Sequence, residues 1–425
     1  MPEMNLDTMD VSKSQLGSLE KTVRYAYKKS AYYKETFQPF LDSSSDKFDI
    51  DVFKELPFTT KEDLGSNNDS FRCVSKNEIA EYVTTSGTTG APVTLYLTKN
   101  DLERLAKNER DSLELMGNTS DDLFQLLTTI DKQFMAGLAY FLGVQKLGAG
   151  IIRIGPGVPK LQWDSIMKYQ PTTLIAVPSF IVTLIEFAKA NKIDYNKTSV
   201  NSIVCIGEPI RNDDFTYNSL GKRITDNWNV KIYSTYASTE MGAAFSECTE
   251  QKGCHLNEEL LFLEVLKQDG QEALNGESGE IVITTLGVEG TPLIRYKTGD
   301  IAHVIYTKCD CGKNTPRLGP IIGRKNQMIK YKGTTLYPKA IFEVLEQFTA
   351  VSCFKIVIDK NELNNDEITI FLENEIKSIP VFETIKDVCK AKLRVLPKFN
   401  FVEKNTLREM VYKTDIRKPE KIKFN

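Results

Sequence analysis

Apolar positions recur along the chain with two different periods. Leu16, Leu19, Val23 and Ala26 repeat at helical spacing, and a polar stretch over 42–46 follows, so the first sixty residues read as helix and then loop. From Tyr82 to about Thr298, short apolar runs alternate with longer amphipathic segments. The runs 123–130, 150–154, 173–177, 202–206 and 231–234 predict strands, and 102–116 and 179–191 predict helices between them. Such alternation predicts an α/β fold with a mostly parallel sheet. Residues 260–266 and 279–285 alternate with period two and predict a β-rich section. After Gly323 the pattern restarts on a smaller scale. It predicts a strand at 328–331, a helix at 338–347, strands at 354–359 and 367–373, a helix at 381–393 and a strand at 400–403. The chain therefore divides into a large N-terminal domain, 1–323, and a small α+β C-terminal domain, 324–425. The last segment, 412–425, carries Lys413, Arg417, Lys418, Lys421 and Lys423, and its composition reads as a flexible basic tail.

Composition narrows the class of protein. The 425 residues hold 54 Lys and Arg against 57 Asp and Glu, a formal charge of −3. That balance argues against a nucleic-acid protein held by a basic field. The hydrophobic share of 41% and charged share of 26% are those of an ordinary globular protein. No apolar run approaches the 18 or more residues of a membrane span. The N-terminal ten residues, MPEMNLDTMD, lack the basic and apolar regions of a signal peptide, so a cytoplasmic protein is expected. Eight cysteines are too sparse for a disulfide scaffold. Cys73, Cys205, Cys353 and Cys389 stand alone and read as buried small hydrophobes. Cys248 and Cys254, beside His255, and the pair Cys309 and Cys311 cluster. Three thiolates and one imidazole would make a closed tetrahedral zinc site. The spacing is looser than the usual finger pattern, so isolated reduced thiols stay open as the alternative, and Cys254 could replace His255.

The densest local chemistry lies in Thr84-Thr85-Ser86-Gly87-Thr88-Thr89-Gly90-Ala91-Pro92. Amides freed by glycine, together with hydroxyl donors, can wrap phosphate oxygens in a nest. The Gly-Lys-Ser/Thr ending of a Walker A loop is missing. A plain polar turn is the alternative.

This stretch resembles the phosphate loop of the adenylate-forming superfamily of acyl-CoA synthetases, luciferases and adenylation domains. Tyr236-Ala237-Ser238-Thr239-Glu240 is similar to that family's Tyr-x-x-Thr-Glu motif. Tyr296-Lys297-Thr298-Gly299-Asp300 is similar to its Tyr-x-Thr-Gly-Asp motif, and Gly323-Arg324 with Gly333 resembles its hinge. The subfamily of phenylacetate–CoA ligases is resembled over nearly the whole chain, through Leu56-Pro57-Phe58-Thr59-Thr60-Lys61, Val177-Pro178-Ser179, Gly207-Glu208-Pro209 and Pro292-Leu293-Ile294-Arg295-Tyr296.

The resemblance implies an enzyme that joins a carboxylic acid to ATP, releases pyrophosphate from an acyl-adenylate, and passes the acyl group to coenzyme A. Thr85, Ser86, Gly87, Thr88, Thr89 and Gly90 would meet the phosphates. Glu240 would hold Mg²⁺, a hard cation that prefers oxygen ligands, and Thr239 would donate to a phosphate. Asp300 suits the ribose hydroxyls, and Arg324 offers a fixed donor fork. Gly207, Glu208 and Pro209 would border the adenine, with Tyr236 near it and Gly333 in the hinge loop. Lys418 sits closest to the lysine that enters the site only for adenylation, with Lys421 and Lys413 as weaker candidates. Some members carry the Cys248, His255, Cys309 and Cys311 set, which implies structural zinc. The C-terminal domain would act as a lid, and a homodimer is one assembly compatible with the family.

Several positions depart from the pattern. Ala91 stands where the loop usually has lysine, and Asn326 where the hinge usually has Asp or Lys. The segment 131–137 lacks the Tyr-Gly start expected for phenylacetate. Phe134, Met135, Tyr140, Phe141 and Phe180 are candidates for an aromatic-acid pocket and equally for plain core. Two rival functions stay open: loading of a carrier-protein thiol or an amine, and a catalytically silent, zinc-stabilised binding protein.

Overall fold

The computed structural model describes residues 12–41, 48–85, 92–332, 334–361, 366–377, 380–411 and 421–425. They group into two compact units. One runs to Thr298 and adds Ala302–Ile321; the other joins Gly299–Ile301 to Ile322–Asn425.

The first unit opens with α1 (Lys13–Lys29), whose N-cap Ser12 accepts from the Gln15 amide. Leu19, Val23 and Ala26 are fully buried, as their spacing predicts. A second helix, α2 (Ala31–Leu41), stands where the sequence reads as loop. Its Tyr33 and Phe37 are buried, and Tyr32 stacks on Phe71 at 4.0 Å. Aromatic residues and Pro39 blur the helical period, and tertiary packing decides the outcome. Two short helices, α3 (Ile50–Glu55) and α4 (Lys61–Ser66), precede the antiparallel pair β1 (Glu81–Thr84) and β2 (Thr94–Leu97).

Alternation then holds as predicted. The chain passes through α5 (Lys99–Leu115), β3 (Leu123–Leu126), α6 (Met135–Leu147), β4 (Gly150–Arg153), α7 (Pro159–Tyr169), β5 (Thr173–Ala176), α8 (Pro178–Ala190), β6 (Ser202–Cys205), α9 (Ser219–Thr225) and β7 (Lys231–Ser238). Strands β4, β3, β5, β6 and β7 lie side by side in parallel. β5 and β6 are buried at every position, which is why they read as unbroken apolar runs. Helix α6 packs on α5 through Gly143. A methyl there would come 2.3 Å from Glu109 Cβ, so glycine sets the approach.

The β-rich section follows as β8 (Ala243–Glu247), β9 (Cys254–His255), β10 (Leu261–Leu266), β11 (Ser278–Thr285), β12 (Tyr296–Ile305) and β13 (Arg317–Leu318). The sheet runs β10-β11-β12-β13-β9-β8-β7-β6-β5-β3-β4. β7 is the hinge of its character: parallel to β6 on one side and antiparallel to β8 on the other.

In the second unit, β14 (Gly323–Arg324) pairs with Asp300 and Ile301. A methyl on Gly323 would come 2.3 Å from the Tyr337 ring, so only glycine fits. A hairpin of β15 (Ile329–Tyr331) and β16 (Thr334–Leu336) leads to α10 (Pro338–Glu346), β17 (Lys355–Lys360), β18 (Asp366–Glu373), α11 (Asn374–Lys377), α12 (Val381–Val388), β19 (Lys398–Val402), α13 (Lys404–Val411) and β20 (Ile422–Phe424). The predicted helix 381–393 changes to π form at Cys389–Leu393. The four-stranded sheet has the order β19-β18-β17-β20.

The end of the predicted flexible tail is a correction. Ile422–Phe424 pair in parallel with Ile356–Ile358, and Lys421 bonds Glu346 at 2.7 Å. Averaged charge hides the Ile422 and Phe424 alternation that makes a strand. Among the described residues no helix is long and apolar enough to cross a membrane.

Candidate active site

The parallel strands reverse direction of growth at β3, and open α/β sheets bind ligands beyond the carboxyl ends of their strands. Thr239 and Glu240 sit beyond the carboxyl end of β7, which β6 and β5 separate from β3, in the turn that joins β7 to β8 after the last pair, Ser238 with Ala243. The turn is anchored from α5. Arg104 donates to the carbonyls of Gly242 at 2.6 Å and Leu286 at 2.9 Å. Burial pushes this guanidinium down to about 10, against the opposing charge of Asp101, and it stays cationic at neutral pH. Glu240 Oε1 accepts from the Tyr296 hydroxyl at 3.3 Å. Thr239 and Glu240 line a narrow cavity of about 20 Å³ with Leu97, Arg104, Met135 and Thr291. That is room for about one water molecule.

Tyr296 is held by two sequence markers that pack on each other. Thr59 Oγ1 donates to the Ile294 carbonyl at 2.8 Å and meets the Tyr33 hydroxyl at 3.0 Å. The Thr59 amide donates to the Arg295 carbonyl, and the Lys297 amide donates back to Thr59. Arg295 takes a left-handed φ of 48° and forms a two-pronged pair with Glu264, at 2.8 and 3.2 Å. It also donates to the Leu56 carbonyl at 2.7 Å and lies over the Phe58 ring at 4.2 Å. The buried pair is fully hydrogen-bonded, which offsets its desolvation. The markers at 56–61 and 292–296 are thus one knot that fixes the strand carrying Tyr296.

Beyond β6, Gly207 adopts φ +75°. The Glu208 carboxylate accepts from Ser179 N at 2.9 Å and Ser179 Oγ at 3.0 Å, at the N-terminus of α8 where an anion is favoured. Pro209 accepts at its carbonyl from Asn218. The Tyr236 ring lies 5.8 Å from Phe245. Thr85 pairs with Val93: its amide donates to the Val93 carbonyl, and its hydroxyl accepts from the Val93 amide at 3.1 Å. Ser86, Gly87, Thr88, Thr89, Gly90, Ala91, Gly333, Lys413 and Lys418 lie outside the described residues.

In the second unit, Asp300 and Arg324 face each other across the β-ladder, with Arg324 Nε donating to Asp300 Oδ1 at 3.1 Å. Asp300 is largely buried and the Arg324 side chain is 46% exposed, which leaves donors of its fork in solvent.

The four residues of the proposed metal set converge. One ligand atom from each of Cys248, His255, Cys309 and Cys311 lies within 4.8 Å of all the others. Cys248 Sγ is 3.7 Å from Cys309 Sγ, and Cys311 Sγ is 3.6 Å from His255 Nε2. A tetrahedral zinc with sulfur ligands at about 2.3 Å places neighbouring ligand atoms roughly 3.5–3.8 Å apart. The separations are too long for a disulfide. Adjacent residues on β9 point to opposite faces, so Cys254 turns away and its Sγ meets the Ser234 carbonyl at 3.6 Å. Thr315 Oγ1 lies 2.9 Å from His255 Nδ1, which suits a tautomer with Nε2 free toward the cluster. Burial, helped by Arg317 and Lys313, pushes His255 down to about 4, so it is the neutral ligand form at pH 7.

The five candidates for an aromatic pocket separate. Met135 lines the Glu240 cavity, Tyr140 is buried in the core beside Val144 and Tyr233, and Phe180 packs on the cluster around Leu184. Phe141 lies under Arg153 at 5.1 Å. Phe134 caps the start of α6. Sequence reasoning missed the roles of Tyr296, Arg104 and Thr315. The first was visible inside a motif; the other two are ordinary helix and loop residues with no signal in spacing.

Residues 19–289 match the sequence model of the family described as AMP-binding enzyme. The chain is similar to the phenylacetate-coenzyme A ligase of Thermus thermophilus, at 28% identity over 84% of this chain and 79% of that one. It is similar to the enzyme of the same name from Escherichia coli, at 27% identity over 80% of this chain and 76% of that one. Among solved structures, a 2-hydroxyisobutyryl-CoA ligase in its postadenylation state superposes with a TM-score of 0.83 at 21% identity, over 100% of this chain and 94% of that one. That likeness carries the fold.

Proposed function

Because the chain belongs to the AMP-binding enzyme family, the adenylate-forming ligases, we propose that it activates an aromatic or arylalkanoic acid and transfers it to coenzyme A. A carboxylate oxygen of the acid attacks the α-phosphorus of ATP, and the bond to the bridging oxygen breaks as pyrophosphate leaves. The thiolate then attacks the acyl carbon and AMP leaves. Positioning and charge stabilisation supply most of such a rate.

The observation that carries this reading is the Glu240 carboxylate, oriented by Tyr296 and set beyond the carboxyl end of β7 next to Thr239. Glu240 would hold Mg²⁺, which would screen the phosphate charge; a carboxylate with one donor at 3.3 Å retains acceptor capacity for it. Thr239 donates to a phosphate. Asp300 accepts from the ribose hydroxyls while Arg324 holds it in place. The Glu208–Ser179 bond braces the Gly207–Pro209 bend against the adenine, with Tyr236 at its side. Ser86, Gly87, Thr88, Thr89 and Gly90, which follow Thr85 in the sequence, would meet the phosphates, Lys418 would serve adenylation, and the C-terminal domain would act as a lid. Cys248, His255, Cys309 and Cys311 fit zinc by donor type and spacing, and the ion would cross-link the residue after β8, strand β9 and the loop before β13. The relatives named phenylacetate-coenzyme A ligase support the acid class.

Acid-dependent ATP–pyrophosphate exchange tests the reading, run over arylalkanoic, benzoic and small 2-hydroxy acids. Exchange with an aromatic or arylalkanoic acid, and thioester formation with CoA in preference to a carrier protein or an amine, is the expected result. No exchange with any acid would overturn the function, and exchange confined to small hydroxy acids would overturn the acid class.

A further inference from the structure

The Gly207–Pro209 bend opens a segment, 206–218, that lies between β6 and α9 and belongs to neither. The segment closes on itself. Arg211 bridges to Tyr217, the Asn218 amide donates to the Ile210 carbonyl at 3.0 Å, and Asn218 Nδ2 donates to the Pro209 carbonyl at 2.9 Å. Two of its attachments to the rest of the first unit differ in kind. Glu208 meets Ser179 in an exposed contact, where water competes for both partners. Arg211 meets Glu247 in a buried one, with side chains 5% and 1% exposed. Arg211 Nε and Nη2 both donate to the Glu247 carboxylate, the second at 3.1 Å. Nη1 donates back to the Phe215 carbonyl at 3.0 Å, and the Tyr217 ring lies 4.6 Å from the guanidinium. Glu247 ends β8, and its Oε2 also accepts from the Ser234 amide of β7 at 2.9 Å. A planar fork with two nitrogens on one carboxylate fixes the segment in one orientation against β7 and β8.

We propose that Arg211 and Glu247 are a positioning pair for the nucleotide, holding the Gly207–Pro209 bend in register with the Thr239–Glu240 turn; the proposal rests on that bend bordering the adenine. ATP has to meet the bend with its base and the turn with its phosphates, so the two must keep a fixed separation. The turn hangs between β7 and β8, and the pair is bonded to both strands, through Ser234 and through Glu247 itself. Stability alone is a poor account of the pair, because apolar side chains of similar volume replace buried ion pairs at little cost to the fold. Geometry is what the fork contributes. Without it the segment would be ordered only as the nucleotide binds, and that cost falls on affinity rather than on the saturated rate.

The double variant R211M/E247L tests this, because it removes both charges together and leaves no buried charge unpaired. It should melt close to wild type and hold the same zinc content per chain. Its KM for ATP in acid-dependent exchange, and its Kd for AMP by calorimetry, should both rise about tenfold, as the loss of a preorganised segment does. The exchange rate at saturating ATP should fall by less than about threefold. R211K keeps the charge and lacks the fork, so it should show a smaller rise in the same two constants. Unchanged ATP KM and AMP Kd in the double variant would overturn the proposal. So would a lost melting transition or lost zinc with R211K at wild-type affinity, which would make the pair a support of the fold or of the metal centre. The AMP titration separates this from the function itself. Wild type that binds neither AMP nor ATP would sink the nucleotide reading, whereas wild type and double variant that bind AMP equally would sink the positioning pair alone.

Discussion

Tyr296 places its hydroxyl 3.3 Å from Glu240 Oε1, so a residue of the 292–296 knot sets the rotamer of the carboxylate in the β7–β8 turn. Glu240→Gln keeps that shape and removes the charge. It should lower acid-dependent exchange by roughly 10²–10³, as the loss of a transition-state electrostatic contact does, with the melting temperature unchanged. Tyr296→Phe should lower exchange by a smaller factor, because the carboxylate stays and only its orientation loosens. Near wild-type exchange in the glutamine variant would remove Glu240 from the metal role.

The sequence predicts more of the fold than of the site. Strands such as Ser202–Cys205 are legible because burial on both faces leaves an unbroken apolar run. Helix α2 is not, because its Tyr33 packs on Phe71 and bonds Thr59, which lie elsewhere in the chain. The same holds within the site. Glu240 stands in a motif, and its partner Tyr296 stands in another, but nothing in the spacing says that they touch. The metal set shows the converse case. Spacing leaves Cys254 and His255 as rivals, and the alternation of a two-residue strand separates them.

The metal set predicts a measurable stoichiometry. Chelator-free protein should contain close to one zinc per chain by elemental analysis. Structural zinc contributes on the order of 10 kcal/mol to folding in small zinc domains, so Cys311→Ser should lose zinc and soluble yield before it loses chemistry. Cys254→Ser should retain the metal, because its thiol faces the Ser234 carbonyl instead. Zinc-free wild type, or zinc lost from the Cys254 variant and kept in the Cys311 variant, would reject this ligand set.

Lys418 predicts a split between half-reactions. Its ammonium would meet the acid and the α-phosphate only while the adenylate forms. Lys418→Ala should therefore lower exchange by about 10²–10³ and still convert supplied acyl-AMP and CoA to thioester at near the normal rate. Equal damage to both steps would mean a general structural role, and damage to neither would pass the function to Lys421 or Lys413.

Glu109 predicts a pH dependence of stability unrelated to catalysis. Its side chain is buried between α5 and Gly143 of α6. Oε1 takes one bond from Asn108, and Oε2 has no partner among the described residues. Burial raises its pKa from 4.5 to about 7, against the lowering effect of Asn108, and the nearby Tyr140 hydroxyl is raised in turn by its own burial and by this carboxyl. The folded state thus holds a proton that the unfolded state releases between about pH 4.5 and 7. Stability from this group is fully present below 4.5, declines through that window, and reaches its largest deficit above 7. A rise of this size corresponds to on the order of 3 kcal/mol. Glu109→Gln keeps the volume and cannot ionise, so its stability relative to wild type should improve by roughly 2–3 kcal/mol between pH 5 and pH 8. Denaturant midpoints at the two pH values measure this directly, and any fixed cost of the amide cancels in the comparison. A difference between variant and wild type that is the same at both values would show that Glu109 does not carry its proton into neutral solution.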